Sequence, residues 1–528
     1  MALSFDLILE KFKWFNDKNI FVVGFVWVNN KYVSQQNFVD LVLIQSDFNE
    51  FKRFAAALNG QFSIVVQREN EVWLACSHTW TNPVFYKKGT TKYRISDEPE
   101  NLVNTDSDKE PDPFSALYFL NFGVTPKETT LSYSISQVRP GEVVCLSGSK
   151  RLASQVAGFS DLAYDNSSEE LTGSELQNHL IESFGKYYEQ LKGKQVLLPL
   201  TKGYDSRLLA CLLAEYGHKD VVCATWGRKD NLEKQTAQKV AAKLGYKYFA
   251  VDYTKTMIRN FTKTENFENY VKFVGHWSSM PFFYEYFGLT QLLKNNVINQ
   301  ETVALPGHPG DFLKGSHLNN SMLNFSSNDF CAHVISRFGT FAPIQKSGKN
   351  ELHNYLAKNY FPRQAESLWQ NYEQWDLEER QCKFIGNSSM IFSFLGMRYF
   401  MPLFDRATLK LFHSLPFEKR VGEVFYNKTL ETNFFKKYHV DFDLKSLPRS
   451  STSSSNLKEA IIGLVPHFLK IHYYPVYDSV FYREITRELR NANKNFEFKH
   501  PSRPHYYNSY IVQWYLQYIA QKSNWSSK

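Results

Sequence analysis

In the stretch LPLTKGYDSRLLA, residues 198–210, hydroxyls, a glycine and a carboxylate crowd together between Thr201 and Ser206. Gly203 has no Cβ, so its backbone can approach a ligand closely. Thr201 and Ser206 can donate hydroxyl hydrogen bonds to phosphate oxygens. Asp205 would repel a bare phosphate, which predicts a divalent cation between the two. The flanks must position this group. Val196–Leu198 are apolar, and an apolar-periodic run from Leu208 to Tyr216 ends at Gly217, a helix C-cap. The segment reads as strand, tight loop, helix. Such a loop aims backbone N–H groups and a helix N-terminus at one spot that favours an anion. An ordinary strand–turn–helix with a polar turn is the plain alternative.

The chain around it has 528 residues, 43% hydrophobic and 22% charged, which suggests a soluble globular protein of about two to four domains. Its net charge of +8 is small for the length and no Lys/Arg block is dense, so nucleic-acid binding is not expected. Six cysteines stand at 76, 145, 211, 223, 331 and 382 without a CxxC spacing, which argues against zinc. The opening MALSFDLILEKFKWF carries Asp6 and Glu10 and lacks a basic signal-peptide start. No apolar run approaches the ~20 residues of a membrane helix. A cytoplasmic protein with no membrane partner is the expectation.

Residues 20–150 read as strands: Ile20–Val28, a hairpin of Phe62–Val66 and Val72–Ala75, then Tyr93–Ile95 and Val143–Leu146, with Phe114–Phe122 helical. About twenty residues precede the first convincing strand. A boundary is expected near 155–172, where the sequence turns polar. Beyond it come a helix over Leu176–Leu191, the 201–206 loop, a strand at Val221–Thr225, a helix at Leu232–Leu244 closed by Gly245, and a strand at Tyr248–Val251. That alternation predicts a parallel sheet whose ligands bind at the carboxyl ends of its strands. Asp311, in LPGHPGDFLKGS at 305–316, could add a second carboxylate to the cation held by Asp205. His308 and His317 flank that loop, and a zinc reading there is the weaker one. Tyr506–Ala520 reads as a closing helix.

These stretches carry a resemblance. Thr201–Ser206 is similar to the SGGxDS loop of the asparagine synthetase family, one branch of the ATP pyrophosphatases, with Lys202 in place of a glycine. LPGHPGDFLKGS resembles the family's S-G-x-G-x-D-E-x-F-x-G-G loop through Gly307, Gly310, Asp311 and Gly315, with Pro306, Phe312 and Ser316 as departures. SSMIFSFLGMRYFMPLFDRATLKLFHSLP at 388–416 resembles S-M-A-x-G-L-E-x-R-x-P-F-L-D through Ser389, Met390, Arg398, Pro402 and Asp405, with Gly396 where the family has a glutamate implicated in amide formation. Four stretches of the first half, LNGQFSIVV, TWTNPVFYKKG, SDEP and VRPGEVVCL, are similar in order to the family's glutaminase domain.

The resemblance implies an α/β protein in two parts. Residues 1–160 would be an Ntn-type α/β/β/α glutaminase-like domain. Residues 170–528 would be a doubly wound parallel-sheet ATP pyrophosphatase domain with a helical C-terminal part. It implies ATP held by Leu200, Thr201, Lys202, Gly203, Asp205, Ser206, Thr225, Trp226, Pro306 and Gly307, Mg²⁺ on Asp205 and Asp311, and Arg398 and Lys445 as catalytic groups, with Arg449 the alternative to Lys445. The glutaminase nucleophile, a cysteine directly after the initiator Met, is Ala2 here, so glutamine hydrolysis is expected to be lost. That half would then serve as scaffold, substrate wall or homodimer surface. The implied activity is an AMP-forming amide ligase or amidotransferase. It would activate a small-molecule, peptide or glycan carboxylate for attack by ammonia or an amine that is free, brought by another protein, or part of the substrate. Asparagine biosynthesis is the namesake case. A non-catalytic relative that binds nucleotide or a partner is the rival reading.

Overall fold

The computed structural model describes residues 4–89, 92–103, 110–147, 150–155, 170–362, 367–444, 479–499 and 506–522. The chain opens with strands β1 (Ser4–Ile8), β2 (Phe15–Asp17), β3 (Ile20–Val28) and β4 (Lys31–Ser34), then helices α1 (Gln35–Leu43) and α2 (Phe48–Ala57). Seven more strands follow: β5 (Asn59–Gln67), β6 (Glu71–Cys76), β7 (Phe85–Lys88), β8 (Lys92–Ser96), β9 (Ile135–Gln137), β10 (Glu142–Ser147) and β11 (Lys150–Gln155). Helix α3 (Pro113–Phe122) lies between β8 and β9. They form a seven-stranded antiparallel sheet, ordered β11-β10-β6-β5-β3-β2 with β4 on β3, and a four-stranded sheet, β1-β8-β7-β9. One face of the larger sheet, through Ile20, Val22, Ile64 and Val66, is covered by Phe38, Val39 and Phe51 of α1 and α2. The other face, through Phe25, Val65 and Leu74, joins Phe85, Tyr86 and Ile95 of the smaller sheet. Because both faces are covered, β3 and β5 are buried almost throughout rather than on alternate residues.

The stretch expected to lack a strand before Ile20 contains β1 and β2. β1 runs parallel to β8, and Asp6 on it accepts from Arg94 Nε at 2.9 Å. A charge in a five-residue apolar run, answered only by a partner far along the chain, hides this strand from local pattern. The segment after β1 is gripped by the Asp97 carboxylate, which accepts from the backbone N–H groups of Glu10, Lys11 and Phe12 and from Trp14 Nε1. Helices α1 and α2 also escaped the local reading. The expected boundary lies mostly outside the described residues.

The later part is built on helix α4 (Gly173–Leu191), β12 (Val196–Pro199), α5 (Tyr204–Glu215), β13 (Val221–Gly227), α6 (Leu232–Leu244), β14 (Lys247–Asp252), β15 (Val303–Ala304) and β16 (Arg398–Tyr399). The sheet order is β14-β13-β12-β15-β16 and every pairing is parallel, as the alternation of strands and helices predicts. Asn231 caps the start of α6 by accepting from Glu233 N, and Gly245 ends it in the left-handed region with φ 72°. β15 and β16 are two residues each, too short to leave a periodic signal. From β12 the chain steps outward one way to β13 and β14, then returns to the other side of β12 for β15. The crevice where those directions part, at the carboxyl ends of β12 and β15, is where such sheets hold ligands.

Asp405 fastens this sheet's surroundings to the antiparallel part. Its Oδ2 accepts from Lys186 Nζ on α4 at 2.5 Å, Tyr187 Oη at 2.9 Å and Asn59 Nδ2 of β5 at 2.9 Å. Its Oδ1 accepts from Ala407 N at 3.0 Å and caps the helix Arg406–His413. Burial opposes its charge, but Lys186 and the other donors outweigh that and hold its pKa below the usual aspartate value.

Candidate functional site

The loop 200–206 leaves β12 and enters α5, whose first residue is Tyr204. Thr201 Oγ1 accepts from Gly203 N at 3.1 Å, and Ser206 Oγ accepts from Thr201 N at 3.2 Å. The loop is braced from beneath by Arg207. This fully buried guanidinium donates to the carbonyls of Val440, Phe442 and Lys202 at 2.7, 2.9 and 3.1 Å. Lys202 is not among the residues with positive φ and its side chain is exposed, so replacing a glycine there costs no left-handed backbone strain. Gly203 has φ −67°, and a Cβ built on it would meet Thr201 Oγ1 at 3.1 Å. Its value is therefore access rather than conformational freedom.

The second loop, after β15, packs directly on the first. A Cβ at Gly310 would lie 2.1 Å from Asp205 Cγ, so only glycine allows this contact. The short helical turn Gly310–Leu313 then presents Asp311, and Lys314 follows it. The Lys314 ammonium, buried to 5% side-chain exposure, lies 2.6 Å from Asp311 Oδ1 and 3.3 Å from Asp205 Oδ2. Tyr426 Oη donates to Asp205 Oδ1 at 3.1 Å. The two carboxylates expected to share a cation thus share one that belongs to the protein. Burial, reinforced by the negative charge of Asp311, raises Asp205 to about 6 against the pull of Lys314. Burial works against the ammonium too, but the two carboxylates more than offset it and Lys314 is held above its ordinary pKa. Asp311 is held low, because Lys314 outweighs its burial.

The two loops, with Asp205, Gly310 and Asp311 but without Lys314 or Tyr426, border a cavity of about 360 Å³ at the carboxyl edge of the sheet. Of the residues expected to hold ATP, Leu200, Thr201, Gly203, Asp205, Ser206, Thr225, Trp226, Pro306 and Gly307 line it, as does Asp311. Lys202 does not line it. Thr225 Oγ1 donates to the Leu200 carbonyl at 2.5 Å and ties the two strand ends together. The Trp226 ring lies against Gly288, where a Cβ would come within 2.7 Å of it. Arg398 stands apart. It opens β16 opposite Val303, at the amino end of the sheet, with its guanidinium 5.8 Å from the Tyr32 ring centroid. A residue that begins a parallel strand lies at the end opposite the edge where ligands bind, and Arg398 does not line the cavity. Lys445 and Arg449 lie outside the described residues.

Two groups here escaped the reading of the sequence. Lys314 is three residues beyond Asp311, and that spacing across one helical turn was the available signal. Glu285 also lines the cavity; burial pushes it up to about 7, and its Oε2 has no hydrogen-bond partner among the described residues. No sequence pattern marks it. His308 borders the cavity with its pKa lowered by burial, which favours a neutral imidazole. Among the described residues no group of three or more His, Cys, Asp or Glu is placed to hold a metal ion.

Two carboxylates are donors of the right kind for Mg²⁺. The Lys314 ammonium bridges Asp311 Oδ1 and Asp205 Oδ2, while the cavity wall carries both carboxylates and not Lys314, so it is on the cavity side that they could meet a divalent cation.

No family model matches the chain, and no curated protein matches it in sequence. Among solved structures, the NH3-dependent NAD synthetase from Campylobacter jejuni in complex with the nitrate ion is similar over 36% of this chain and 95% of its own, at 13% identity and a TM-score of 0.22. The glutamine phosphoribosylpyrophosphate amidotransferase from B. subtilis, complexed with ADP and GMP, is similar over 48% of this chain and 76% of its own, at 10% identity and a TM-score of 0.19. A structure described as the allosteric regulatory enzyme of purine biosynthesis is similar over 56% of each chain, at 11% identity and a TM-score of 0.17. Likenesses this slight carry no assignment.

Proposed function

We propose that this chain is an ATP-dependent, AMP-forming ligase of the asparagine synthetase type that hydrolyses no glutamine itself. The observation that supports it most is the convergence of two loops, distant in sequence, on one spot at the carboxyl edge of the sheet: Gly310 against Asp205, with Lys314 joining Asp205 to Asp311. In this reading the triphosphate lies across the 200–206 loop and the start of α5, and the adenine lies by Thr225 and Trp226. The substrate carboxylate oxygen bonds to the α-phosphorus, and the bond to the bridging oxygen breaks, releasing pyrophosphate. An amine then attacks the acyl carbon; the C–N bond forms, AMP leaves with the bonding pair, and the amine sheds a proton. The protein's part is positioning and charge neutralisation. Lys314 offsets part of the negative charge of Asp205 and Asp311, and these two carboxylates are the residues that would hold Mg²⁺, which would supply charge neutralisation at the phosphates.

The division at 160–170, with an Ntn-type domain before it and an ATP pyrophosphatase domain after it, belongs to the same proposal. The loss of glutaminase chemistry has support independent of Ala2. All six cysteines are free and buried. Burial raises every thiol, Cys76, Cys145, Cys223 and Cys331 to about 12, so none is poised as a thiolate nucleophile. The rival reading, a relative that binds nucleotide or a partner without turnover, draws on Arg398 lying off the cavity. ATP–pyrophosphate exchange with a panel of carboxylic acids, beside calorimetric ATP binding, separates the two. Exchange supports the ligase, binding without exchange supports the rival, and neither would remove the ligase and leave only partner binding. Glutamate release from glutamine by the purified protein would overturn the loss of glutaminase activity.

A further inference from the structure

A second cavity, of about 330 Å³, lies between α3, the wide helical segment Asp376–Ile385 and the C-terminal helix Tyr506–Lys522. Tyr118, Phe122, Phe338, Trp375 and Phe384 supply aromatic walls, and Arg337, Arg380, His317 and Glu379 also line it, with Glu379 already paired to Lys383 at 2.7 Å. Arg380 borders it and also borders the nucleotide cavity. The Arg380 guanidinium stacks 5.0 Å from the Phe338 ring centroid, and its contact with Asp376 Oδ1 is long, 3.8 Å. Asp376 commits its other oxygen to His317 Nδ1, at 2.5 Å. Arg380 therefore keeps donors for a second carboxylate. Thr340 lines the same cavity at 8% exposure, and its hydroxyl has no hydrogen-bond partner among the described residues; nor has Asn508 Oδ1. A buried hydroxyl with nothing to bond costs stability unless a ligand answers it.

We infer that this cavity is the acceptor site, and that it takes a carboxylic acid bearing an aromatic ring. The ring packs among the aromatic walls. A polar group on the ligand meets Thr340, and the carboxylate reaches Arg380, which also borders the nucleotide cavity. A small acid such as aspartate would leave the aromatic walls uncovered. This rests on the reading of the first cavity as a nucleotide site.

Calorimetry on the full chain tests it, with 3-phenylpropionate and phenylalanine against hexanoate and aspartate, and with phenethylamine as an amine of matched shape. The aromatic acids should bind about tenfold more tightly than hexanoate, from ring stacking. Thr340→Trp, which fills the cavity, should remove that binding while its melting transition reports the fold. Should that variant melt, Arg380→Gln serves instead and should weaken the acids by about tenfold through loss of the charged pair. No binding of either aromatic acid, a preference for phenethylamine, or unchanged affinity in a folded Thr340→Trp would overturn the proposal. ATP titrated into the wild type keeps the two readings apart. Acid binding without ATP binding retains this pocket and removes the ligase, and ATP binding without acid binding does the reverse.

Discussion

Asp205 and Asp405 are both largely buried, and each touches a lysine, yet their surroundings drive them in opposite directions. Asp405 has four donors on its two oxygens and is held below its ordinary pKa. Asp205 has Lys314 and Tyr426, shares its lysine with a second carboxylate, and is raised to about 6. A buried carboxylate whose lone pairs are all answered is a fastener. One that is partly answered and opens on a cavity is a charge waiting for a ligand. Both match the resembled family in type, so sequence alone gives them equal standing.

The harshest way to break the comparison is to remove the fastener. Asp405→Ala should destabilise by about 3–5 kcal/mol in urea unfolding, since it strands Lys186 without its partner. A loss below about 1 kcal/mol, the range of exposed pairs, would mean that Asp405 is no fastener. Gly310→Ala comes next. Its Cβ must push Asp205 aside, which should cost about 1–3 kcal/mol as overpacking and weaken ATP binding by calorimetry. Intact ATP affinity would show that the two loops do not form one site.

The two carboxylates should also differ in pH dependence. Asp205 takes up its proton more readily folded than unfolded, so its contribution to stability falls as pH rises from about 4 to about 6. Asp205→Asn should therefore gain on the wild type across that window, by at most about 3 kcal/mol. Asp405 has the opposite sign: its contribution is present above the unfolded pKa and is lost as pH falls through its depressed folded value. Magnesium sharpens the same point. If Lys314 supplies the cation, ATP without Mg²⁺ should bind more tightly as pH falls through about 6, because Asp205 loses its charge. Binding that requires Mg²⁺ and weakens over that range would give that part to the metal. The smallest effect is expected at Lys202→Gly, which should leave ATP affinity and stability within about 0.5 kcal/mol, as for a surface change.

Much of this was legible in the sequence because it is local. The strands at Ile20–Val28 and Val221–Gly227, the helix Leu232–Leu244 with its closing glycine, and the strand–loop–helix around Asp205 all carry their own periodicity and caps. Val303–Ala304 and Arg398–Tyr399 could not be read that way, because they are strands only through their neighbours. Lys314 was passed over because the reading sought a cation from solvent and not one from the chain. Arg398 was placed by resemblance of order, which does not say at which end of a strand a residue falls.

Asp205 and Lys314 are 109 residues apart in the chain, and Asn59 and Asp405 are 346 apart. The loop around Asp205 can form early, since β12 and α5 are neighbours. Its lysine follows β13, β14 and β15 in the chain. Contacts of such separation close late, because the entropy of the intervening loop is lost before they return any stability. Under the proposed function, nucleotide binding would then be an assay of completed folding. In a refolding experiment the near-native helical signal should recover before ATP affinity does.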